Sequence, residues 1–238
     1  MRPYFSHQLL NLGLFVAFLR ILSYNISMKV KTIVTGLYEV NTYLVYDDPN
    51  NVFIIDPGAD AEDIISTLEA NDLSPAAILF SHGHADHISA LDELLEHYQI
   101  PVKITAEDAA WAFTPRNSFP GYERIQKYPE NLISVIRDGD EIKSGNSTLR
   151  VLHTPGHSPG SVCFLDEAGR NLFAGDTLFS GSIGRTDFPG GDWNAMAESL
   201  KKLMQLPEDY KVFPGHGEST KIGKEKRTNQ YCLHVLRG

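Results

Sequence analysis

Residues 81–87 read SHGHADH, so three histidines and an aspartate occupy a stretch of seven positions. The stretch directly follows PAAILF at residues 75–80, a short apolar segment typical of a buried β-strand. A rigid sheet holds the side chains at its strand ends in fixed positions, as a binding site requires. Imidazole nitrogens and carboxylate oxygens bind zinc, iron and manganese. The stretch therefore indicates a metal site at the end of a strand.

Three later segments have a similar composition and also follow apolar strands. They are TPGH at residues 154–157, AGD at 174–176 and PGHG at 214–217. Glycine beside these histidines permits the tight backbone turns that let side chains from separate loops converge. The candidate metal ligands are His82, His84, Asp86, His87, His157, Asp176 and His216.

Seven side chains exceed the needs of one catalytic metal, which takes three protein ligands and keeps one position open for water. If Asp176 bridges, the set divides well between two metal ions. The remaining histidines stand alone in the sequence and are expected to be solvated or hydrogen-bonded: His7, His97, His153 and His234. His153, just before TPGH, is expected in a strand beside the site.

The composition is that of an ordinary globular protein with a sizeable core. Hydrophobic residues make up 42% of the 238 residues and charged residues 21%. The formal net charge of -9 argues against general nucleic-acid binding, because phosphate backbones attract basic surfaces. Cys163 and Cys232 are far apart and form no CxxC pattern, which favours a reducing compartment, the cytoplasm, over a disulfide framework.

Residues 1–27 form an N-terminal extension. Its apolar run LLNLGLFVAFLRILS is interrupted by Asn11 and Arg20, and it is too short and broken for a comfortable membrane span. Three interpretations stay open: translation that begins at Met28, a signal segment or anchor that leads to export, and an ordered helix. We expect residues 28–238 to form one hydrolase domain with no membrane contact.

After Met28, β-branched and aromatic segments alternate with amphipathic ones, which predicts strands in two groups with helices outside them. The predicted helices are residues 61–72, 88–98, 106–113 and 193–206, with a C-terminal helix from Lys221. Residues 114–130 contain three prolines and little periodicity, and they predict a long loop of a kind that is often functional. Each half of the chain runs from strands through a helix to a strand that ends in a histidine-bearing loop.

These motifs resemble those of the metallo-β-lactamase-fold superfamily and, within it, the glyoxalase II-like (hydroxyacylglutathione hydrolase) enzymes. The resemblance covers nearly all of residues 28–238 and rests on DPGA at 56–59, SHGHADH at 81–87, TPGHSPGS at 154–161, AGDTLF at 174–179 and PGHG at 214–217. The segment FSGSIGRTDFPGGD at 179–192 is similar to the compact bacterial branch of these enzymes. The resemblance implies an α/β (α+β) fold, a four-layer αββα sandwich of two similar halves.

The resemblance also implies a division of the ligands between two divalent metal ions, zinc in the first place and iron or manganese as alternatives. The first metal would be held by His82, His84 and His157, and the second by Asp86, His87 and His216, with Asp176 as the bridge. Asp56 would orient the ligand loop through hydrogen bonds.

The reaction that the resemblance implies is hydrolysis of a small-molecule thioester of the S-lactoylglutathione type. Two divalent cations that share a water lower its pKa, so hydroxide exists at neutral pH and attacks the substrate carbonyl. A metal also stabilises the anion that develops. A thiolate leaves easily and needs little help from a general acid. Asp86 is the candidate catalytic residue for handling a proton during turnover.

The C-terminal tail departs from full-length glyoxalase II enzymes, in which a further helical domain helps to bind glutathione. Residues 218–238 follow the last motif here, and their basic residues outnumber Glu218 and Glu225. The basic residues are Lys221, Lys224, Lys226, Arg227 and Arg237. They form either a patch that binds substrate carboxylates or a solvated helix face. Another thioester, an ester or a lactone therefore stays open as the substrate.

GRTDF at residues 184–188 also resembles a segment of persulfide dioxygenases, which use one iron held by two histidines and an aspartate. This is the alternative enzymatic interpretation. Arg185 would serve substrate or structure in either family, with Asp187 as its ion-pair partner. A metal-binding module without activity is a third interpretation, although every ligand position is filled.

Overall fold

The computed structural model describes residues 27–237, which form two six-stranded β-sheets flanked by helices. The first sheet has the spatial order β1 (Lys29–Thr35), β2 (Val40–Tyr46), β3 (Val52–Ile55), β4 (Pro75–Leu79), β5 (Val102–Thr105) and β6 (Ile133–Ile136). The second sheet consists of β7 (Glu141–Ser144), β8 (Ser147–His153), β9 (Val162–Asp166), β10 (Asn171–Gly175), β11 (Lys211–Pro214) and β12 (Thr220–Lys221), again in sequence order.

The helices of the described residues pack on the outer faces of the sheets. They are α1 (Ala61–Ala70), α2 (Ala85–Ile88), α3 (Leu91–His97), α4 (Ala106–Ala112), α5 (Trp193–Leu203), α6 (Ile222–Thr228) and α7 (Gln230–Arg237). The longest, α5, begins at an N-cap, where the Asp192 carboxylate accepts hydrogen bonds from the N–H groups of Asn194 and Ala195 at 2.6 and 3.0 Å. Such caps satisfy amide groups that a helix start leaves free.

The protein has four layers, namely the two sheets and a layer of helices outside each sheet, with a hydrophobic cluster between each pair of neighbouring layers. The central cluster fills the space between the two sheets and includes Phe53, Leu79, Phe164 and Phe173. A second cluster joins the first sheet to α1, α3 and α4, and a third joins the second sheet to α5, α6 and α7. Inner strands such as β3, β9 and β10 are buried along their whole length, because each is covered on both faces. The predicted four-layer αββα sandwich is confirmed.

Strand direction places the histidine-bearing loops at one edge of the sandwich. β10 pairs in parallel with β11, while β9 is antiparallel to both β8 and β10. Strands β8, β10 and β11 therefore run in one direction, and the loops that follow them lie together. In the first sheet β3 and β4 are parallel, so the loops after them also lie together. Isolated pairing of Val40 with His216 brings the two edges into contact.

Several details differ from the sequence-based predictions. The single helix predicted from Lys221 is two helices, α6 and α7, and Lys221 itself belongs to β12. The helix predicted over residues 88–98 is broken, because the N–H groups of Ser89 and Ala90 donate to the carbonyls of Gly58 and Pro57 at 3.1 and 3.2 Å instead of to a helical turn. The sequence also does not predict β7, since EIKS contains a single apolar residue and its alternation is too short to be recognised.

The structure also bears on the long loop, the cysteines and the absence of a membrane-spanning helix that the sequence predicts. The loop predicted over residues 114–130 is confirmed, since no helix or strand of the structure falls within it. Cys163 and Cys232 are buried and free. Within residues 27–237, no helix is long and apolar enough to cross a membrane. The extension predicted at residues 1–27 lies outside the described residues except for Ser27, and the domain boundary there stays a prediction.

Replacing Phe164 by alanine tests the central cluster. The side chain is fully buried, so its loss leaves a cavity between the sheets and is expected to lower the free energy of unfolding by about 3–5 kcal/mol. Urea denaturation followed by circular dichroism measures this change. Val135→Ala, at an exposed strand position, is the control and is expected to change the value by less than about 0.5 kcal/mol. Equal effects of the two substitutions would contradict the assigned packing.

Candidate metal centre

The SHGHADH segment turns sharply after β4 and then enters α2. His82 and His84 lie in the turn, and Asp86 and His87 lie within α2. Gly83 keeps this turn close to α4, because a Cβ at position 83 would lie 2.9 Å from Ala112 Cβ. The turn and the helix that follows it thus bring four polar side chains close together in a largely buried segment.

Three strand ends of the second sheet supply the other candidate ligands. His157 lies in the loop after β8, Asp176 directly follows β10, and His216 lies just beyond β11. Gly215 makes room for this convergence, since a Cβ there would overlap Asp176 Oδ1 and lie 2.8 Å from His87 Cε1. The packing of the cluster therefore requires a glycine at position 215, the first glycine of PGHG.

His82, His84 and His157 form one triad. The three side chains each offer a nitrogen, and these atoms all lie within 4.8 Å of one another. His84 Nδ1 and His157 Nε2 are 2.9 Å apart. Three imidazole nitrogens at this spacing match the protein ligands of a tetrahedral metal site with one open position.

Asp86, His87 and His216 form a second triad. Their ligand atoms also lie within 4.8 Å of one another. His216 Nε2 is 3.2 Å from His87 Nε2 and 3.6 Å from Asp86 Oδ2. The two triads correspond to the two ligand sets that the resemblance implies.

Asp176 lies between the triads. Its Oδ2 is 3.5 Å from His157 Nε2 and 3.6 Å from His216 Nε2, and its Oδ1 is 3.5 Å from His87 Nε2. Asp176 Oδ1 and His82 Nε2 are buried and have no hydrogen-bond partner within residues 27–237. Buried polar atoms normally have partners, so these two atoms fit a site built for cations. The structure brings all seven candidates together; that they bind metal stays a prediction.

The outer nitrogens of three histidines are held by oxygen atoms. His157 Nδ1 is 2.8 Å from the carbonyl of Arg185, and His216 Nδ1 is 2.8 Å from the carbonyl of Tyr38. His87 Nδ1 is 3.2 Å from Asp56 Oδ2. Each of these oxygens can accept a hydrogen bond from the Nδ1–H of its ring, which orients the opposite nitrogen toward the cluster as the candidate metal ligand.

Asp56 orients the SHGHADH loop, as the resemblance implies. Its backbone has φ +48°, a left-handed value that is uncommon outside glycine. Its Oδ1 accepts a hydrogen bond from the Ser81 N–H at 2.7 Å, and its Oδ2 accepts one from Ser81 Oγ at 2.6 Å. Although Asp56 is close enough to His82 and His87 to form a third ligand group, its oxygens are already engaged in these bonds. We therefore assign Asp56 to orientation rather than to metal binding.

Burial and charge set the protonation of the cluster. Burial, together with the neighbouring imidazoles, lowers the pKa of His82 far below its usual value and the pKa of His84 to about 3. Burial alone would also lower the pKa of His87, but the carboxylates of Asp176 and Asp86 raise it to about 10. Since metals bind neutral imidazole, His82 and His84 are already in the binding form at neutral pH, whereas His87 must release a proton.

Asp108, a residue that the sequence does not single out, ties together two of the ligand loops. Its Oδ2 accepts hydrogen bonds from the Gly83 N–H at 2.8 Å and from Ser158 Oγ at 2.6 Å, and its Oδ1 accepts one from the Gly160 N–H at 2.7 Å. Burial raises the pKa of Asp108, while these hydrogen bonds lower it. In the sequence Asp108 reads as an ordinary acidic residue of a first helical turn, so no local signal reveals its role.

A cavity of about 950 Å³ opens onto the cluster. Aromatic and aliphatic side chains form much of its wall: Tyr38, Trp111, Phe119, Phe179, Ile183 and Phe188. The rings of Trp111 and Phe188 flank His84, with centroids 5.2 and 5.7 Å away. An apolar wall around a few polar groups is typical of a small-molecule site and strengthens electrostatic interactions inside it.

Arg185 and Asp187 form the predicted ion pair at the cavity. Arg185 Nε and Nη2 donate to the two carboxylate oxygens of Asp187 at 2.9 and 2.7 Å, and these bonds lower the pKa of Asp187 to about 2. The guanidinium also lies 4.1 Å from the ring centre of Phe188. The charge of Arg185 is therefore already compensated within the protein.

The basic tail is divided between two locations. Lys224 Nζ donates to Ser180 Oγ at 2.9 Å, beside the cavity wall. Lys226 instead donates to the Leu206 carbonyl, and Arg227 pairs with Glu208. Lys224 thus lies near the cavity, whereas Lys226 and Arg227 make hydrogen bonds and an ion pair with other parts of the protein surface.

Comparison with known proteins extends this description. The family model described as "Metallo-beta-lactamase superfamily" matches residues 35–216 of the chain. The chain belongs to this superfamily. The complete His/Asp cluster of this metallo-β-lactamase fold is a candidate site for divalent metal, and the chain is a metallo-hydrolase of the superfamily.

Individual relatives match along most of their length. "Hydroxyacylglutathione hydrolase GloC" of Haemophilus influenzae is 35% identical over 212 residues, which are 86% of this chain and 98% of that protein. The crystal structure of the BLEG-1 B3 metallo-beta-lactamase is 37% identical, with a TM-score of 0.81 over 86% of this chain and 99% of that one. The structure of TTHA1623 in a di-iron-bound form is 35% identical, with a TM-score of 0.76 over 85% of this chain and 100% of that one.

Substitution of the candidate ligands tests the metal centre of this metallo-β-lactamase fold. His84→Ala and Asp176→Asn each remove a donor from the cluster and are expected to lower bound metal at least about tenfold after dialysis. Mass spectrometry of the metal in purified protein measures the content. His97→Ala is the control, since His97 lies outside the cluster beside Glu69 and its loss is expected to change nothing. Full metal content in both ligand variants would refute the assignment.

Asp108→Asn tests the indirect support of the ligand loops. Asparagine keeps the shape but replaces one acceptor oxygen with a donor, so the bonds from the Gly83 N–H to Oδ2 and from the Gly160 N–H to Oδ1 cannot both form. Metal affinity, measured by competition with a chromophoric chelator, is expected to fall about 10- to 100-fold. Glu107→Gln, at the adjacent exposed position, is the matched control. An affinity for Asp108→Asn equal to that of the control would show that these bonds do not support the site.

Proposed function

We propose that this metallo-hydrolase is a binuclear thioesterase of glyoxalase II type that cleaves S-acylglutathione thioesters such as S-lactoylglutathione. The observation that carries the proposal is the arrangement of two complete ligand triads with Asp176 between them. The cavity beside the triads has the volume and apolar lining of a small-molecule site. Two buried free cysteines agree with a reducing compartment such as the cytoplasm.

The donor set fits two divalent cations. In this proposal His82, His84 and His157 hold one metal, Asp86, His87 and His216 hold the other, and Asp176 is shared. Zinc is the first candidate because imidazole and carboxylate are its common catalytic ligands, and iron or manganese would accept the same set. The di-iron form of TTHA1623 is an example of iron in a similar fold.

When bound, the metals would lower the pKa of a water molecule and polarise the substrate carbonyl. Hydrolysis then adds water across the C–S bond: its oxygen bonds to the carbonyl carbon, and sulfur leaves with the electron pair as a thiolate. The proton released from water requires an acceptor. The Asp86 carboxylate lines the cavity and lies 3.6 Å from His216 Nε2, so we assign this catalytic role to Asp86.

The relative named GloC supports glutathione as the thiol carrier. The match covers 98% of that protein, so its named activity belongs to a chain that aligns with this one almost from end to end. Lys224 donates to Ser180, the residue next to Phe179 of the cavity wall, and adds a positive charge near the cavity. A different thioester, an ester or a lactone is the next alternative.

The persulfide dioxygenase interpretation requires one iron held by two histidines and an aspartate. The second triad of this chain is complete and its Asp86 and His216 lie within contact of each other, which favours the binuclear hydrolase. An inactive metal-binding module is disfavoured by the same completeness of both triads.

The proposal is tested by metal analysis and enzyme assays on the purified full chain. We expect about two metal ions per chain, hydrolysis of S-lactoylglutathione, loss of hydrolysis with a chelator, and recovery on addition of zinc or iron. Asp86→Asn is expected to reduce kcat at least about 100-fold, because its carboxylate both binds metal and accepts a proton.

Three results would contradict the proposal. One iron per chain with oxygen consumption on glutathione persulfide and no thioester hydrolysis would favour the dioxygenase. Faster hydrolysis of lactones or β-lactams than of thioesters would keep the binuclear centre but change the substrate. Bound metal without turnover of any of these compounds would favour the binding module.

A further inference from the structure

We infer that Arg116 binds an anionic group on the thiol carrier of the substrate and thereby determines specificity for anionic thioesters. This inference rests on the proposed thioesterase function and assigns a new role to one residue of the cavity wall. Arg116 belongs to the long loop after α4 and lines the cavity that opens onto the metal centre.

The position of Arg116 is fixed relative to the candidate ligands. Its neighbour Asn117 is buried and accepts a hydrogen bond from the Ala85 N–H at 3.0 Å. Asn117 Nδ2 also donates to the carbonyls of Gly83 and Ala112, both at 2.7 Å. These bonds attach the loop directly to the SHGHADH segment, so the Arg116 backbone is held one residue from the wall of the metal site.

A second anchor lies on the other side of Arg116. The ring of Phe119 packs against Tyr38 with a centroid distance of 5.7 Å, and Tyr38 Oη donates to the Pro120 carbonyl at 3.2 Å. The Tyr38 carbonyl in turn accepts from His216. The segment that carries Arg116 is therefore held between both ligand triads, and a group bound there would have a defined position relative to the scissile bond.

Arg116 differs from most of the described arginines in having no carboxylate partner. Most of the arginines that the structure describes pair with a carboxylate: Arg124, Arg150, Arg170, Arg185 and Arg227. Arg116 is exposed to the cavity and pairs with no carboxylate of residues 27–237. A guanidinium left free on the wall of a substrate cavity is available for a ligand anion.

The other charged groups of the cavity reinforce this conclusion. Its acidic lining residues are Asp86 and Asp176, and both belong to the candidate ligand set. Arg185 also lines the cavity, but Asp187 holds it through two hydrogen bonds. Within the described residues, Arg116 is thus the charged side chain of the wall that neither pairs with a carboxylate nor belongs to the candidate ligand set. Its free guanidinium favours a substrate with a carboxylate. Guanidinium binds carboxylate through two parallel hydrogen bonds.

The test compares two thioesters of the same acyl group on the metal-loaded full chain. One is the acylglutathione, which carries carboxylates, and the other is the neutral N-acetylcysteamine thioester. The variants are Arg116→Met, which keeps an unbranched apolar stem, and Arg116→Lys, which keeps the charge. Arg137→Met is the matched control: it removes the charge of another exposed arginine, and that residue does not line the cavity.

The measured quantity is the ratio of kcat/KM for the anionic thioester to kcat/KM for the neutral one. Arg116→Met is expected to lower this ratio about 10- to 100-fold, mainly through KM, because it removes hydrogen bonds to a charged group. Arg116→Lys is expected to retain a large part of the ratio, and Arg137→Met to leave it unchanged. An unchanged ratio in Arg116→Met, or an equal fall in Arg137→Met, would overturn the inference.

Failure of the proposed function gives a different result. If neither thioester is hydrolysed by the unmodified chain, the thioesterase proposal fails, and the role of Arg116 is then tested by calorimetry with S-methylglutathione, which cannot be hydrolysed. Binding that is lost in Arg116→Met and kept in Arg137→Met would support the anion site. Equal binding, or no binding, in the unmodified chain and in both variants would refute it.

Discussion

The metal centre depends on the contact between the two sheets at the edge of the sandwich where the ligand-bearing loops lie. Four candidate ligands follow β4 of the first sheet, and three follow strands of the second. Asn41 of β2 fixes the last of these loops: its N–H donates to Gly215 O at 2.7 Å, and its side chain donates to the carbonyls of Pro214 and Gly217. The Val162 N–H donates to Ser81 O at 2.8 Å in the opposite direction. A functional site tolerates displacements of only about 0.5 Å, so these bonds hold the ligand loops of the two sheets in the relative position that the site requires.

The electrostatics of the cluster follow from that convergence. Burial would raise the pKa of Asp176, but the nearby imidazoles of His87 and His157 lower it, so the carboxylate stays charged. The proton that His87 retains compensates part of this charge while no cation is bound. A cation would take over that role, which couples metal binding to proton release. Burial of these charged groups lowers the stability of the folded protein, but the same groups make the site selective for cations.

The sequence predicts that these side chains lie together because the candidate ligands occupy short motifs at strand ends. SHGHADH and PGHG can be recognised in the sequence, and the hydrophobic patterns predict strands in two groups with helices outside them. The four-layer αββα arrangement itself is implied by the family resemblance. The break between α2 and α3 cannot be found in this way, since Pro57 and Gly58, far away in the sequence, accept the hydrogen bonds that end the helix. The sequence does not reveal Asp108 and Asn117 for the same reason: their roles consist of hydrogen bonds to ligand loops that are distant in the sequence.

The distribution of charge links the whole chain to the chemistry of its cavity. A net charge of -9 repels anionic ligands at long range, so an anionic substrate gains little from electrostatic steering. Charges on exposed surfaces act over a screening length of about 8 Å at physiological salt, which limits that repulsion as well as any attraction by the distant Arg227. Recognition must then come from cations inside the cavity, where apolar walls reduce screening. In the proposed function, the metal centre and Arg116 on the wall that faces it would supply these cations together.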